Sequence, residues 1–371
     1  MKSPTKLVLL FSLIFLSIIN CEFNQPLFKC HHDNELDSNP LPNVIAKLSS
    51  KQKEEQRRRI EVETDSDGFR DINIYLDLEN IKYGITQNGL EDYQDTIISS
   101  MEKAVSTLKT LLKVKPLQVP YRLTDDNFVK LGIKKWNTAL FGNAANEIGN
   151  NDLKTLGIDL IIFGKFEDLA DTTLATANSM AYQESEVNNG QPYIGVVRIN
   201  KNIDFSKSNT KEFFQTVLVH EFTHILGFSK YFFETYYKNM HSKVDNDGLT
   251  RLYLKSPKLL EVARKYFNCP SLEGVELENQ GGEGTEASHW EARILLGEYM
   301  IGYSYSEEQV ISEFTLAVLE DSGYYKPNYY TGGLMRFGKH KGCEFLNNKC
   351  VNPQTHVTNE KFENEFFDSP I

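Results

Sequence analysis

The stretch 220-HEFTHILGFSK-230 constrains this chain more than any other. His220-Glu221-Phe222-Thr223-His224 reads H-E-x-x-H. Residues four apart share one face of a helix, so both imidazoles reach one metal ion, with a carboxylate on the neighbouring side. Zinc is the metal such a set binds, and the carboxylate can serve a zinc-activated water as its base. Gly227 tolerates φ > 0, so the helix can stop abruptly and the chain can turn beneath the metal. In the extended pattern H-E-x-x-H-x-x-G-x-x-H a third ligand stands at position 230. Here that residue is Lys230, and an ammonium cannot ligate zinc. Either the motif is an accident, or the third ligand lies elsewhere. Glu234 and His241 follow soon after the helix, and His289 stands far downstream in 287-ASHWEARILLGEYM-300.

The chain has 371 residues, enough for two domains or one large one with subdomains. A formal net charge of −11 argues against nucleic acid as the main partner. Lys2 and Lys6 precede an apolar run from Leu7 to Ile19, which predicts a signal peptide over 1–21; an uncleaved anchor is the rival reading. No later stretch reaches membrane length, and the C-terminus carries no hydrophobic anchor tail. A secreted or lumenal protein is expected, with cell-surface or membrane association left open and no anchor visible. Cys21 leaves with the signal, and Cys30, Cys269, Cys343 and Cys350 remain in an oxidising compartment.

Residues 22–70 are polar and charged, with little to build a core and a possible processing site at Arg57-Arg58-Arg59. Ile72, Ile74, Leu76 and Leu78 alternate with polar residues and predict a strand. Helical spacing runs from Leu90 to Val114. Apolar runs at Ile158–Phe163 and Tyr193–Ile199 predict further strands, and Lys211–Leu226 a helix. Ser256-Pro257 opens another helix with an N-cap and an N1 proline. Ser306 and Gln309 predict a capping box for a helix through Val310, Phe314 and Ala317, closed by Gly323. This order gives an α+β or α/β first half.

HEFTHILGF, 268-NCPSLEGVELENQGG-282, the SHW around His289, Met300, 313-EFTLAVLEDSGYYKPNY-329 and 342-GCEFLNNKC-350 together resemble the leishmanolysin-type metzincin peptidases. The likeness runs from about Ile72 to Cys350. It implies an α+β metzincin fold, a twisted mixed sheet packed on the active-site helix, with an insertion between motif glycine and third histidine. The implied organisation is a propeptide over 22–70, a catalytic subdomain over 71–228, an insertion over 229–288, a third ligand, Met-turn and C-terminal helix over 289–335, and a residual segment over 336–371. By resemblance His289 completes the ligand set with His220 and His224, one Zn2+ per chain, Met300 lies beneath the metal, and Lys230 merely begins the insertion. The likeness also implies that Cys30, in 28-FKCHHDN-34, ligates zinc in an inactive precursor, and that Cys269 pairs with Cys343. A local Cys343–Cys350 bridge is the rival pairing. Family members usually continue into a cysteine-rich C-terminal domain, whereas this sequence stops at Ile371.

The function expected is a secreted zinc endopeptidase acting on protein or peptide substrates, with Glu221 as its base. Tyr193–Ile199 is the expected edge strand for an extended substrate. The alternative is a weakly active or inactive secreted adhesion or binding protein that keeps the zinc site.

Overall fold

The computed structural model describes residues 28–30, 64–117, 123, 125–141, 157–170, 172–183, 188–244, 249–279, 282, 284–304 and 309–348. The expected signal peptide, the Arg57–Arg59 processing site, Ser306 and Cys350 lie outside the described residues.

The strands of the first half are β1 (Phe28–Lys29), β2 (Arg70–Asp71), β3 (Ile74–Asp77), β4 (Leu112–Val114), β5 (Leu160–Glu167), β6 (Ala175–Tyr182) and β7 (Pro192–Asn200). A four-stranded sheet runs in the order β3-β5-β7-β6. β3, β5 and β7 are parallel, and β6 closes one edge antiparallel to β7. Successive side chains in β5 serve opposite faces. Leu160 and Ile162 join the core beneath the helices, while Ile161 and Phe163 pack with Phe128 and Phe141 on the other side. A strand buried on both faces reads as an unbroken apolar run, which is why β5 was legible as a central strand.

The strand expected at Tyr193–Ile199 is β7, but it is an interior strand, buried along its whole length. The sheet's edges are β3 and β6, and alternation did not reveal β6. Its sequence ATANSMAY is small and polar, and it is buried because a helix covers it.

That helix is Ser208–Ile225. It packs on β6, on β7 and on the helix Gln94–Leu111. A Cβ at Gly195 of β7 would overlap Ile225, so the absence of a side chain there lets the helix sit flush on the sheet. Ser179 of β6 donates its hydroxyl to the Ile225 carbonyl at 2.6 Å, which fixes the helix end that carries the motif.

Beyond it lie β8 (Met240–Val244), β9 (Thr250–Leu254) and β10 (Val275–Glu276), an antiparallel sheet in the order β10-β9-β8. The Lys230 amide donates to Ser288 Oγ at 3.3 Å, so the chain leaves the motif helix and returns to the same place 58 residues later. The helix Pro257–Phe267 packs on the helix Glu313–Asp321. Ser256 holds the N-cap position, but its hydroxyl makes no cap bond. Asp321 caps instead, accepting from the Lys258 and Leu259 amides at 3.0 and 2.9 Å. A disulfide joins Cys269 to Cys343. It closes a long loop, for which chain entropy predicts about 4 kcal/mol of stabilisation.

β11 (Tyr303–Ser304) pairs antiparallel with β1, and β12 (Tyr325–Pro327) joins β4 and β2 in a three-stranded sheet. The expected capping box at Ser306 and Gln309 is not what starts the next helix. It begins at Glu313, and Ser312 Oγ accepts from the Phe314 amide at 3.2 Å. Val310 lies before it, bridged to Glu298.

Candidate metal centre

Two turns of one helix, one loop and the residue that follows β1 supply the site. His220 and His224 lie one turn apart on the helix Ser208–Ile225. After Ile225 the chain turns at Gly227, whose φ is 103°. Only glycine adopts that conformation without strain, and a Cβ there would also overlap the Tyr237 hydroxyl. The turn brings the Phe228 carbonyl back onto Nδ1 of His224 at 2.6 Å. The Tyr299 carbonyl accepts from Nδ1 of His220 at 2.6 Å, and the Thr285 carbonyl from Nδ1 of His289 at 2.8 Å.

A carbonyl can only accept, so all three rings carry their proton on Nδ1 and present a lone pair at Nε2. Those lone pairs converge. Nε2 of His220 lies 3.1 Å from that of His224 and 3.2 Å from that of His289. Three acceptors packed this closely repel unless a cation sits among them. Tetrahedral zinc, with Zn–N of about 2.0–2.1 Å, places its nitrogens about 3.3 Å apart, so the residues fit that ion. Cys30 Sγ joins them, and the four ligand atoms lie within 4.8 Å of one another in a fully buried group.

Cys30 is held from two sides. Its amide donates to the Gly302 carbonyl at 3.1 Å, and its carbonyl accepts from Thr285 Oγ1 at 2.9 Å. Its sulfur lies 3.4 Å from Glu221 Oε1 and 3.5 Å from His224 Nε2. Glu221 is itself fully buried, and its second oxygen, Oε2, has no partner at hydrogen-bonding geometry among the described residues. Burial holds its carboxyl well above the usual range, opposed by the Cys30 thiol, the Ala177 amide and the Arg198 guanidinium. A buried carboxylate oxygen without a donor is costly, and such atoms mark places where another group belongs.

Met300 is fully buried in the turn Glu298–Ile301, where its carbonyl accepts from the Trp290 amide at 3.0 Å. The structure brings His220, His224, His289, Cys30 and Glu221 together. Glu234 and His241 do not join that group; both are exposed. Sequence reasoning missed the three carbonyls that set the imidazole tautomers, and Thr285, which serves both His289 and Cys30. Backbone acceptors leave no residue-type signal. Glu298 did leave one, a lone carboxylate in an apolar stretch two residues before Met300.

The chain is similar in sequence to known peptidases. The leishmanolysin family model matches residues 100–365. A leishmanolysin-like peptidase of Caenorhabditis elegans is 48% identical over 95 residues, 26% of this chain and 14% of that protein. A leishmanolysin homolog of Crithidia fasciculata is 36% identical over 168 residues, 44% of this chain and 24% of that protein. Leishmanolysin of Leishmania tropica is 32% identical over 183 residues, 47% of this chain and 26% of that protein. The aligned parts thus span between a seventh and about a quarter of these relatives' lengths. With most of its length matched by the family model, and with the three imidazoles and Glu221 gathered inside that span, the chain belongs to the leishmanolysin family of peptidases.

Proposed function

We propose that this chain is a zinc-dependent endopeptidase that cleaves protein or peptide substrates and is made in a latent form closed by Cys30. The observation that carries the reading is the convergence of three Nε2 lone pairs, each fixed by a carbonyl on Nδ1, beside the unpartnered Oε2 of Glu221. His220, His224 and His289 hold the metal. A zinc ion held there supplies an acidified water and a Lewis acid for the scissile carbonyl. Glu221 takes the proton from the attacking water and delivers it to the leaving amine. Burial raises its affinity for a proton, which suits a group that takes one up during the reaction. An extended substrate is read as adding to the edge strand β6, next to the helix that carries Glu221.

In the latent form Cys30 would add its thiolate, a strong zinc ligand, to the three imidazoles and keep water from the metal. Residues 229–288 are read as an insertion, in keeping with the meeting of Lys230 and Ser288 at its ends. Residues 22–70 are read as the propeptide, and the route of the protein as secretory. The propeptide and the secretory route are supported by the sequence alone.

The test uses the full chain with Cys30→Ser, which removes the inhibitory thiolate, against the double variant Cys30→Ser/Glu221→Ala. Casein turnover by the first and not the second supports the reading. Equal turnover by both removes the enzyme and leaves a zinc-bearing binding protein.

A further inference from the structure

Glu298 is a buried acid that the proposed chemistry does not use. It is fully buried, and three neutral donors hold it. Ser312 Oγ and Thr315 Oγ1 donate to its Oε1 at 2.8 and 2.7 Å, and the Met300 amide donates to Oε2. Thr315 Oγ1 in turn accepts from the Trp290 indole at 2.9 Å. One carboxylate thereby ties together the turn at Met300, the neighbour of His289 and the first turn of the helix Glu313–Asp321.

Tyr299 sits inside that knot and grips the motif helix twice. Its carbonyl accepts a hydrogen bond from Nδ1 of His220, and its hydroxyl lies 3.0 Å from Thr223 Oγ1. Thr223 is anchored one turn back, to the Val219 carbonyl at 2.8 Å. We propose that Glu298 is a positioning residue for the metal centre, its carboxylate fixing the turn that presents the Tyr299 carbonyl to His220. The inference rests on the three-histidine zinc site proposed above.

Two physical points favour the assignment. Burying a carboxylate among neutral donors is costly, and an apolar side chain would fill the space at less cost if packing were the only requirement. Moreover, the acceptor of the Nδ1 proton sets ring orientation and ligand basicity, and losing such support weakens metal binding by about 10–100-fold. A carbonyl cannot be deleted by substitution, so the side chain that fixes its peptide is where the effect can be read.

The experiment measures the zinc dissociation constant of the full chain by competition with a chromophoric chelator, together with the visible spectrum of the Co2+-substituted protein. Glu298→Ala removes all three acceptor contacts and is expected to weaken zinc binding at least about tenfold and to shift the cobalt band. Glu298→Asp keeps the charge but, one methylene shorter, cannot span Met300 and the two hydroxyls; it is expected to weaken zinc binding in the same direction. Glu298→Gln is the rescue: its amide oxygen accepts from Met300 while its NH2 donates to the hydroxyls, so zinc affinity stays near that of the unsubstituted chain. Thermal unfolding in chelator reports whether each variant folds, and if the alanine variant does not, the aspartate variant decides. Unchanged zinc affinity and cobalt spectrum in the folded alanine or aspartate variant would overturn the positioning role alone. Absence of zinc uptake by the unsubstituted chain would overturn the metal site and this inference together.

Discussion

The sulfur of Cys30 lies 3.5 Å from Nε2 of His224 and 3.4 Å from Oε1 of Glu221. One buried thiol thus touches both a histidine of the trio and the carboxylate that would act as base.

That contact predicts a chain whose thiol and activity are coupled. In the zinc-loaded full chain, Cys30 should react slowly with a thiol reagent such as DTNB, and chelation should speed the reaction by an order of magnitude or more, because thiolate bound to metal is not available to attack. Cys30→Ser should raise peptidase turnover over the unsubstituted chain by a similar factor. Fast labelling that ignores the chelator would show the sulfur to be no ligand.

The third ligand separates two readings of the sequence. His289→Ala should lose most bound zinc, since its Nε2 is 3.2 Å from that of His220, whereas Glu234→Ala should keep it. Metal content of the two purified variants, by atomic absorption, decides. Zinc retained in the histidine variant and lost in the glutamate variant would reverse the assignment.

The motif helix, the strands β5 and β7 and the pairing of His220 with His224 were legible because their signals are local or chemical, whereas His289 was separated from Glu234 and His241 only by family resemblance. Helical spacing, apolar runs and the scarcity of residue types that bind zinc each leave a mark in the sequence. The edge strand β6 was not legible, because its residues are small and polar and its burial comes from the helix laid across it. Likewise, the N-cap at Ser256 follows the residue-type rule, yet the donors are met by Asp321 from a helix far along the chain. Caps supplied across a tertiary contact have no local pattern to find.

Asp321 therefore carries a prediction of its own. Replacing it by alanine frees the Lys258 and Leu259 amides at the start of the helix Pro257–Phe267. The expected loss is about 1 kcal/mol. Ser256→Ala, by contrast, should change little, since the Ser256 hydroxyl makes no cap bond. Chemical denaturation midpoints of the two variants give the comparison, and an equal or reversed effect would contradict the cap assignment.

Burial pushes the Glu298 carboxyl from its ordinary 4.5 to about 7, against the pull of Thr315, Ser312 and Met300. The folded chain then binds this proton more tightly than the unfolded chain does. The resulting stabilisation is complete below the ordinary value and is lost as pH rises through about 7. The loss is on the order of 3 kcal/mol in the zinc-free protein. Histidines titrate in the same window, so the informative quantity is the difference between the unsubstituted chain and Glu298→Gln. Urea unfolding at pH 5 to 8 should show the glutamine variant gaining relative stability as pH increases. A difference that stays flat across that range would place the carboxyl's folded pKa near its unfolded one.

Gly227 links backbone conformation to ligand chemistry. Its φ of 103° lets the chain reverse so that Phe228 offers its carbonyl to His224. Alanine there is strained by the backbone angle and would overlap the Tyr237 hydroxyl. The two effects together should cost roughly 2–4 kcal/mol. If the chain relieves the strain by shifting the turn, the Phe228 carbonyl moves off Nδ1 and zinc binding weakens as well. Gly227→Ala should therefore lower both the unfolding midpoint and zinc affinity, whereas Gly323→Ala, at a helix end with a φ of 76° and open space around it, should lower only the midpoint. Calorimetry with and without zinc separates the two. A Gly227 variant that loses stability equally in both conditions would show the turn to be structural only.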